Sequence, residues 1–378
     1  MQKASTGEAK EITFLAAGDC GPVQGETIKY PIEHYTELVR PVLSAADLKV
    51  VNCMRTYSAL GSQNELAPQV QQSPEMARIF FDCGFNAVSF ANNHIFDCGA
   101  EAMLDTRRLM NENGIQVAGA GKDLDDARQP AILESHGIKV AYLGSCSTGH
   151  HGSDAGVGKP GISTMRVKTT YETHGPHQPV RVLSEPDESD LDMLLADIAK
   201  ARTKADVVVP ALHYGIIRLP RVVPDYHVTV ARACIDAGAD MVLGHSPHVP
   251  KGIEVYKGKV IFYSLGIFSM TKPFPAPSWK VPPWTHGAVR NHTDLDPLYP
   301  LMPYGKDCTL AILAKAVIAK TGVKRVSFLP MTMDAQYRTE VLKAGDPRFD
   351  KVVEYMDWVS DGFPHHFAVD GDEVVVSP

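Results

Sequence analysis

No stretch of about 18 consecutive apolar residues occurs in the 378-residue sequence, so no helical membrane span is expected. Nor is positive charge in excess: 37 Lys and Arg against 44 Asp and Glu leave a formal charge of −7. A broad electrostatic footprint for nucleic acid is therefore not expected. The seven cysteines (20, 53, 83, 98, 146, 234 and 308) are odd in number and lack paired spacing, and no CxxC occurs. That argues against a disulfide framework or a thiolate zinc knuckle, and for a reducing, cytoplasmic setting. Met1 to Ile12 is polar and mixed in charge, without the apolar stretch of a secretion signal.

What is present is a globular composition, 44% hydrophobic and 21% charged, arranged in a recurring unit. Ile12–Ala17 runs into Gly18-Asp19, Leu48–Val51 ends in Asn52, and Ala87–Phe90 ends in Ala91-Asn92-Asn93-His94. Val140–Leu143 ends in Gly144-Ser145, and Val207–Val209 leads to His213. Met241–Leu243 ends in Gly244-His245, and Val260–Tyr263 in Ser264-Leu265-Gly266. Short apolar runs with polar tips read as buried parallel strands that collect ligands at one edge. Helical patterns lie between them at Ile32–Leu43, Pro74–Asp82, Ala100–Asn113, Glu188–Thr203 and Tyr226–Gly238. Ser189-Asp190 and Asp225 read as N-terminal caps, and Gly114 and Gly238 as stops. A single α/β unit with a core at about 12–330 is expected. Residues 272–305, with eight prolines, Trp279 and Trp284, read as a lid-like insertion, and 331–378 as a C-terminal extension.

Gly244-His245-Ser246-Pro247-His248 is the densest motif. Two imidazoles just past a buried strand can converge on one cation if the Ser-Pro turn points both inward. In Ala91-Asn92-Asn93-His94-Ile95-Phe96-Asp97 an amide oxygen is a neutral ligand and His94 a candidate proton donor. Asp97 there reads as a cap for the following helix. His213 and Asp19, each at a strand end, complete one carboxylate, one amide and several imidazoles. His150-His151 read as part of a Gly-rich exposed loop.

These motifs, in this order, resemble the CapA family, named for poly-γ-glutamate capsule biosynthesis, within the calcineurin-like metallophosphoesterase superfamily. The resemblance covers roughly Ile12 to Met270. It implies two packed β-sheets flanked by helices, an αββα sandwich with a metal centre at the sheet edge. Carried over by position, Asp19 and His248 serve one metal, and Asn93, His213 and His245 a second, with His94 and Asp19 catalytic. Asn52, Asn92, Tyr214, Trp279 and Trp284 are expected around the substrate. The chain departs from the family at Gly21, where the superfamily has histidine, and at Asn52-Cys53-Met54, where CapA-type proteins carry Asn-Leu-Glu. It departs again at Ile267, where they carry Asn. With the bridging acid missing, one firm divalent transition metal (Zn, Mn or Fe) and a weaker second are expected, with Asn52, Cys20, Cys53 or Glu26 as candidate helpers. The expected function is metal-dependent hydrolysis of a small organic substrate, an amide or acyl bond being favoured. The alternatives are a two-metal phosphoesterase and a non-catalytic CapA-type accessory protein. No membrane or nucleic-acid partner is expected, and a homo-oligomer is left open.

Overall fold

The computed structural model describes residues 10–23, 30–62, 71–173, 175–271, 298–299 and 305–378. Two large sheets lie face to face within them. The first has ten strands and is built around Glu11–Gly21. On one side of that strand Leu48–Cys53, Ala87–Ser89 and Gln116–Ala118 follow in parallel. On the other side Leu310–Ala319 and Gly322–Met333 run antiparallel, and Glu373–Ser377 and His366–Asp370 finish the edge. The second, six-stranded sheet places Val207–His213 between Ile138–Cys146 and Met241–His245, all parallel. Lys259–Leu265 continues it, and Pro250–Tyr256 and Ala131–Ser135 are its antiparallel edges.

Strands this apolar are stable only when both faces are covered. Alternate residues divide accordingly. Ile12, Phe14 and Ala16 enter the core between the sheets, with Val207, Val209 and Ala211 opposite. Leu15 and Ala17 face an outer core with Met103 and Met110 of the helix Gly99–Glu112. On the far side Val208 and Leu212 meet Leu194 and Ile198 of Glu188–Arg202 and Val230 and Cys234 of Asp225–Asp236. Helix, sheet, sheet, helix is the layering the sequence predicts. The helix Pro347–Ser360 adds Phe349, Val352 and Met356 to the inter-sheet core.

Some local expectations change. Asp187, accepting from the Asp190 amide, caps the helix expected to start at Ser189-Asp190. Pro224 precedes the helix that starts at Asp225, and no side chain caps it. Ile32–Leu43 and Pro74–Asp82 each break into a 3-10 turn and a short α-helix. All seven cysteines are buried thiols. No helix among the described residues is long and apolar enough to cross a membrane. Most of the Pro/Trp-rich segment, with Trp279 and Trp284, and Glu26 lie outside the described residues.

Two glycines let neighbouring backbones approach closely at the strand tips. A Cβ on Gly18 would stand 2.1 Å from the Gly266 carbonyl oxygen, and one on Gly244 2.2 Å from that of Tyr263. Backbone cannot yield as a flexible side chain does. Gly18→Ala is expected to cost at least about 2 kcal/mol, as overpacking against backbone does, read as a lowered midpoint in urea unfolding.

Candidate metal centre

Strand register decides which side chains meet. Asp19 lies beside Asn52 on the first sheet, and His213 beside His245 on the second. All four sit at the carboxyl ends of parallel strands, on the same rim of the sandwich. The turn after His245 is strained: Ser246 and His248 have φ of 97° and 61°, unusual for residues with a Cβ. That conformation turns the His248 ring back to Asp19, with Nδ1 2.9 Å from Oδ2, and points the Ser246 amide at the same carboxylate.

Asp19 is fully buried and collects three donors. Asn52 Nδ2 donates at 2.7 Å, the Ser246 N–H at 3.2 Å and His248 Nδ1 at 2.9 Å. Burial alone would raise its pKa, but the His248 hydrogen bond and the nearby His248, His213 and His245 rings hold it far below the usual carboxylate range. The site therefore contains a fixed negative charge.

Asn52 joins the two halves. Its amide also donates to His213 Nδ1 at 3.2 Å and contacts Met54 Sδ at 3.0 Å. With Nδ1 accepting, His213 carries its proton on Nε2, which donates to Asn93 Oδ1 at 3.0 Å. The Asn93 amide in turn lies 3.3 Å from His94 Nε2. His94 Nδ1 donates to Asp97 at 2.8 Å, and the other Asp97 oxygen accepts from His150 at 3.0 Å.

His245 is the exception to this bonding. Its ring is 1% exposed, both nitrogens are buried, and neither has a hydrogen-bond partner among the described residues. Nδ1 stands 3.8 Å from Asp19 Oδ1. An imidazole stripped of water on both nitrogens is costly unless something else binds it. Burial pushes its pKa down to about 4, opposed by Asp19, and that of His213 to about 3. Both rings are thus neutral and hold lone pairs at neutral pH, the form that binds a cation. The carboxylate, amide and imidazole groups of Asp19, Asn93, His213, His245 and His248 are of the chemical types that suit a divalent transition metal. The trio His94, Asp97 and His150 also brings three ligand atoms within 4.8 Å. Its members are hydrogen-bonded to one another, as are Asp19, His248, His213 and Asn93; the nitrogens of His245 are the ones without such a bond among the described residues.

The other expected residues divide. Asn92 is buried and committed to the turn: Oδ1 accepts from the His94 and Ile95 amides, and Nδ2 donates to the Cys53 carbonyl. It shapes the motif and has no face to offer a substrate. Tyr214 is fully buried under the helix Asp225–Asp236, its ring 3.8 Å from that of His227; it too is misplaced as a substrate contact. Cys20 and Cys53 remain protonated, burial raising the first well above its usual value and the second to about 12. Neither resembles a thiolate ligand. Asp97 does not cap its helix, since Cys98 holds that position without a side-chain bond; it orients His94 instead. His150 reaches the same rim through the loop after Ile138–Cys146, whose tip, Cys146, pairs with His213. An imidazole four residues past a strand tip was the only sequence sign of it.

A two-sheet sandwich with imidazoles, an amide and one carboxylate on its rim is the architecture of the metallophosphoesterase-like superfamily. Within it the chain belongs to the family described as bacterial capsule synthesis protein PGA_cap, whose model matches residues 10–271, more than half of the sequence. The chain is 30% identical over 235 residues to the PGA biosynthesis protein CapA of Bacillus subtilis (strain 168), covering 61% of this chain and 55% of that protein. It is 28% identical over 225 residues to a probable polyglutamine synthesis accessory protein of Mycobacterium tuberculosis (strain CDC 1551 / Oshkosh), covering 59% and 55%. It thus spans about half the length of the curated relatives it matches. Among solved structures, the NAD nucleotidase of Haemophilus influenzae aligns with a TM-score of 0.40 and 11% identity, over 93% of this chain and 63% of that one.

A pH prediction follows for metal-free protein. Unfolded imidazoles take up protons near their ordinary 6.5, whereas folded His245 and His213 stay neutral to about 4 and 3. The unfolded state binds more protons across that window, so stability falls as pH drops from 6.5 toward 3. Urea unfolding after chelation is expected to show this fall, and His245→Asn to make it shallower.

Proposed function

We propose that this chain acts as a CapA-type accessory protein in polyglutamate synthesis. The observation that carries this reading is the family match, which spans every strand tip of the candidate centre. The name of the Bacillus relative supplies the PGA polymer, and that of the Mycobacterium relative, which reads polyglutamine, the accessory role. The test is complementation of a strain lacking this gene, with polymer yield and chain length as readouts. Restoration by the wild-type chain is expected; a strain whose polymer is unchanged by the deletion contradicts the role.

A second reading, hydrolysis of an amide or other acyl bond at the same centre, is favoured by the unpartnered nitrogens of His245. Asn93, His213 and His245 would hold one divalent transition metal (Zn, Mn or Fe), with Asp19 and His248 completing a weaker second position. When bound, the metal supplies Lewis acidity toward water or a carbonyl. The protein's own groups do the rest. Asp19 gives the site its negative charge and accepts from His248. Asp97 fixes the His94 ring so that Nε2, free of a proton, faces Asn93 and the rim, where it can take a proton from the attacking water and pass it to a departing nitrogen. Asn52 occupies the joint between the half-sites with a neutral amide, leaving Asp19 alone against two dications. That charge balance disfavours the two-metal phosphoesterase.

His94→Ala is expected to retain metal while losing about 10²- to 10⁴-fold in turnover of an amide substrate, the usual worth of a general acid. His245→Ala is expected to lose both. Elemental analysis beside an assay of amides, lactams and phosphoesters reads the two effects separately. Full polymer synthesis by both variants would leave the accessory role standing without hydrolysis.

A further inference from the structure

One strand pair stands apart from both sheets. Val167–Glu172 and Arg181–Pro186 form a two-stranded antiparallel ribbon, with Tyr171 opposite Val182 and Glu172 opposite Arg181. Arg181–Pro186 is the inner strand: it leans on the helix Asp225–Asp236, whose Tyr226 amide donates to Ser184 Oγ at 3.5 Å. The outer strand is exposed at every position after Val167. Among the described residues, Arg181–Pro186 is its only strand partner.

An edge of this kind is a template for another strand, because no described strand pairs with its outer side. Proteins blunt such edges with proline, bulges or charge. Here the sequence is Val-Lys-Thr-Thr-Tyr-Glu, rich in β-branched and aromatic residues, without proline or glycine, and its pairing register is unbroken. Lys168 is the one residue that would repel a neighbour, and the strand carries the matching charge at Glu172, on the same face.

We propose that Val167–Glu172 is a homodimer interface, to which a second copy of this chain adds the same strand antiparallel about a two-fold axis through Thr170. That register sets Lys168 opposite Glu172 of the partner subunit, twice by symmetry, and Thr169 opposite Tyr171 of the partner subunit. A slip of one residue removes the charge pairing, and a parallel in-register arrangement sets lysine on lysine. The two ribbons become one four-stranded sheet. Tyr171 and Val182, 73% and 53% exposed and on one face, then join a shared apolar strip.

The charge pattern gives the test its form. Sedimentation of the full chain over a concentration series should give twice the chain mass at the upper end. Lys168→Glu and Glu172→Lys should each weaken the dimer by about tenfold or more, since each replaces both attractive pairs with repulsive ones. The double variant, which exchanges the charges, should recover it. Thr170→Pro should leave a folded monomer, with thermal melting as the check on folding. A monomer at every concentration, a dimer indifferent to these variants, or a double variant that fails to recover overturns the proposal.

Discussion

Everything at the rim turns on one buried carboxylate. Asp19 has no exposed surface, and a charge in that position persists only because Asn52, the Ser246 amide and His248 all donate to it. One donor comes from the first sheet and two from the strained turn that follows a strand of the second, so the ion ties the two halves of the sandwich at their common edge. It is also the only carboxylate in the candidate ligand set. The resemblance would place a bridging acid where Met54 stands, and its absence matters more here than it would in an acid-rich site.

The fold makes this concentration of polar groups tolerable. Strands buried on both faces send their side chains alternately into two apolar cores, and only the tips escape that environment. Gly18 and Gly244 let neighbouring backbones approach closely at those tips. The positive φ of Ser246 and His248 turns the imidazole and the amide inward. Strain of this kind persists where surrounding contacts over-determine it, as the grip on Asp19 does.

The seven strands that carry polar tips were legible because a short, continuous apolar run closed by Gly-Asp, Asn or Gly-His suits a strand buried on both faces. Leu310–Ala319 was not. Its alanines and central lysine lack a strand's usual β-branched density, and its place is set by pairing with Glu11–Gly21. Asp97 was misread because an acid just before a helix resembles a cap, while its partners His94 and His150 are brought together only by folding. Asn92 and Tyr214 share their motifs with residues of the candidate centre, and sequence position alone does not say which neighbour faces it. Asp19, Asn93, His213, His245 and His248 were legible as neighbours on one rim, since each ends a strand or lies within four residues of one.

Metal content of the purified chain tests the central claim most directly. After purification without added chelator, elemental analysis should find close to one equivalent of Zn, Mn or Fe per chain, held through dialysis, with a second equivalent appearing only at high added metal. Two equivalents held through dialysis would contradict the consequence drawn from the missing acid. None retained, and none taken up on addition, would contradict the assignment of the His245 pocket as a metal centre.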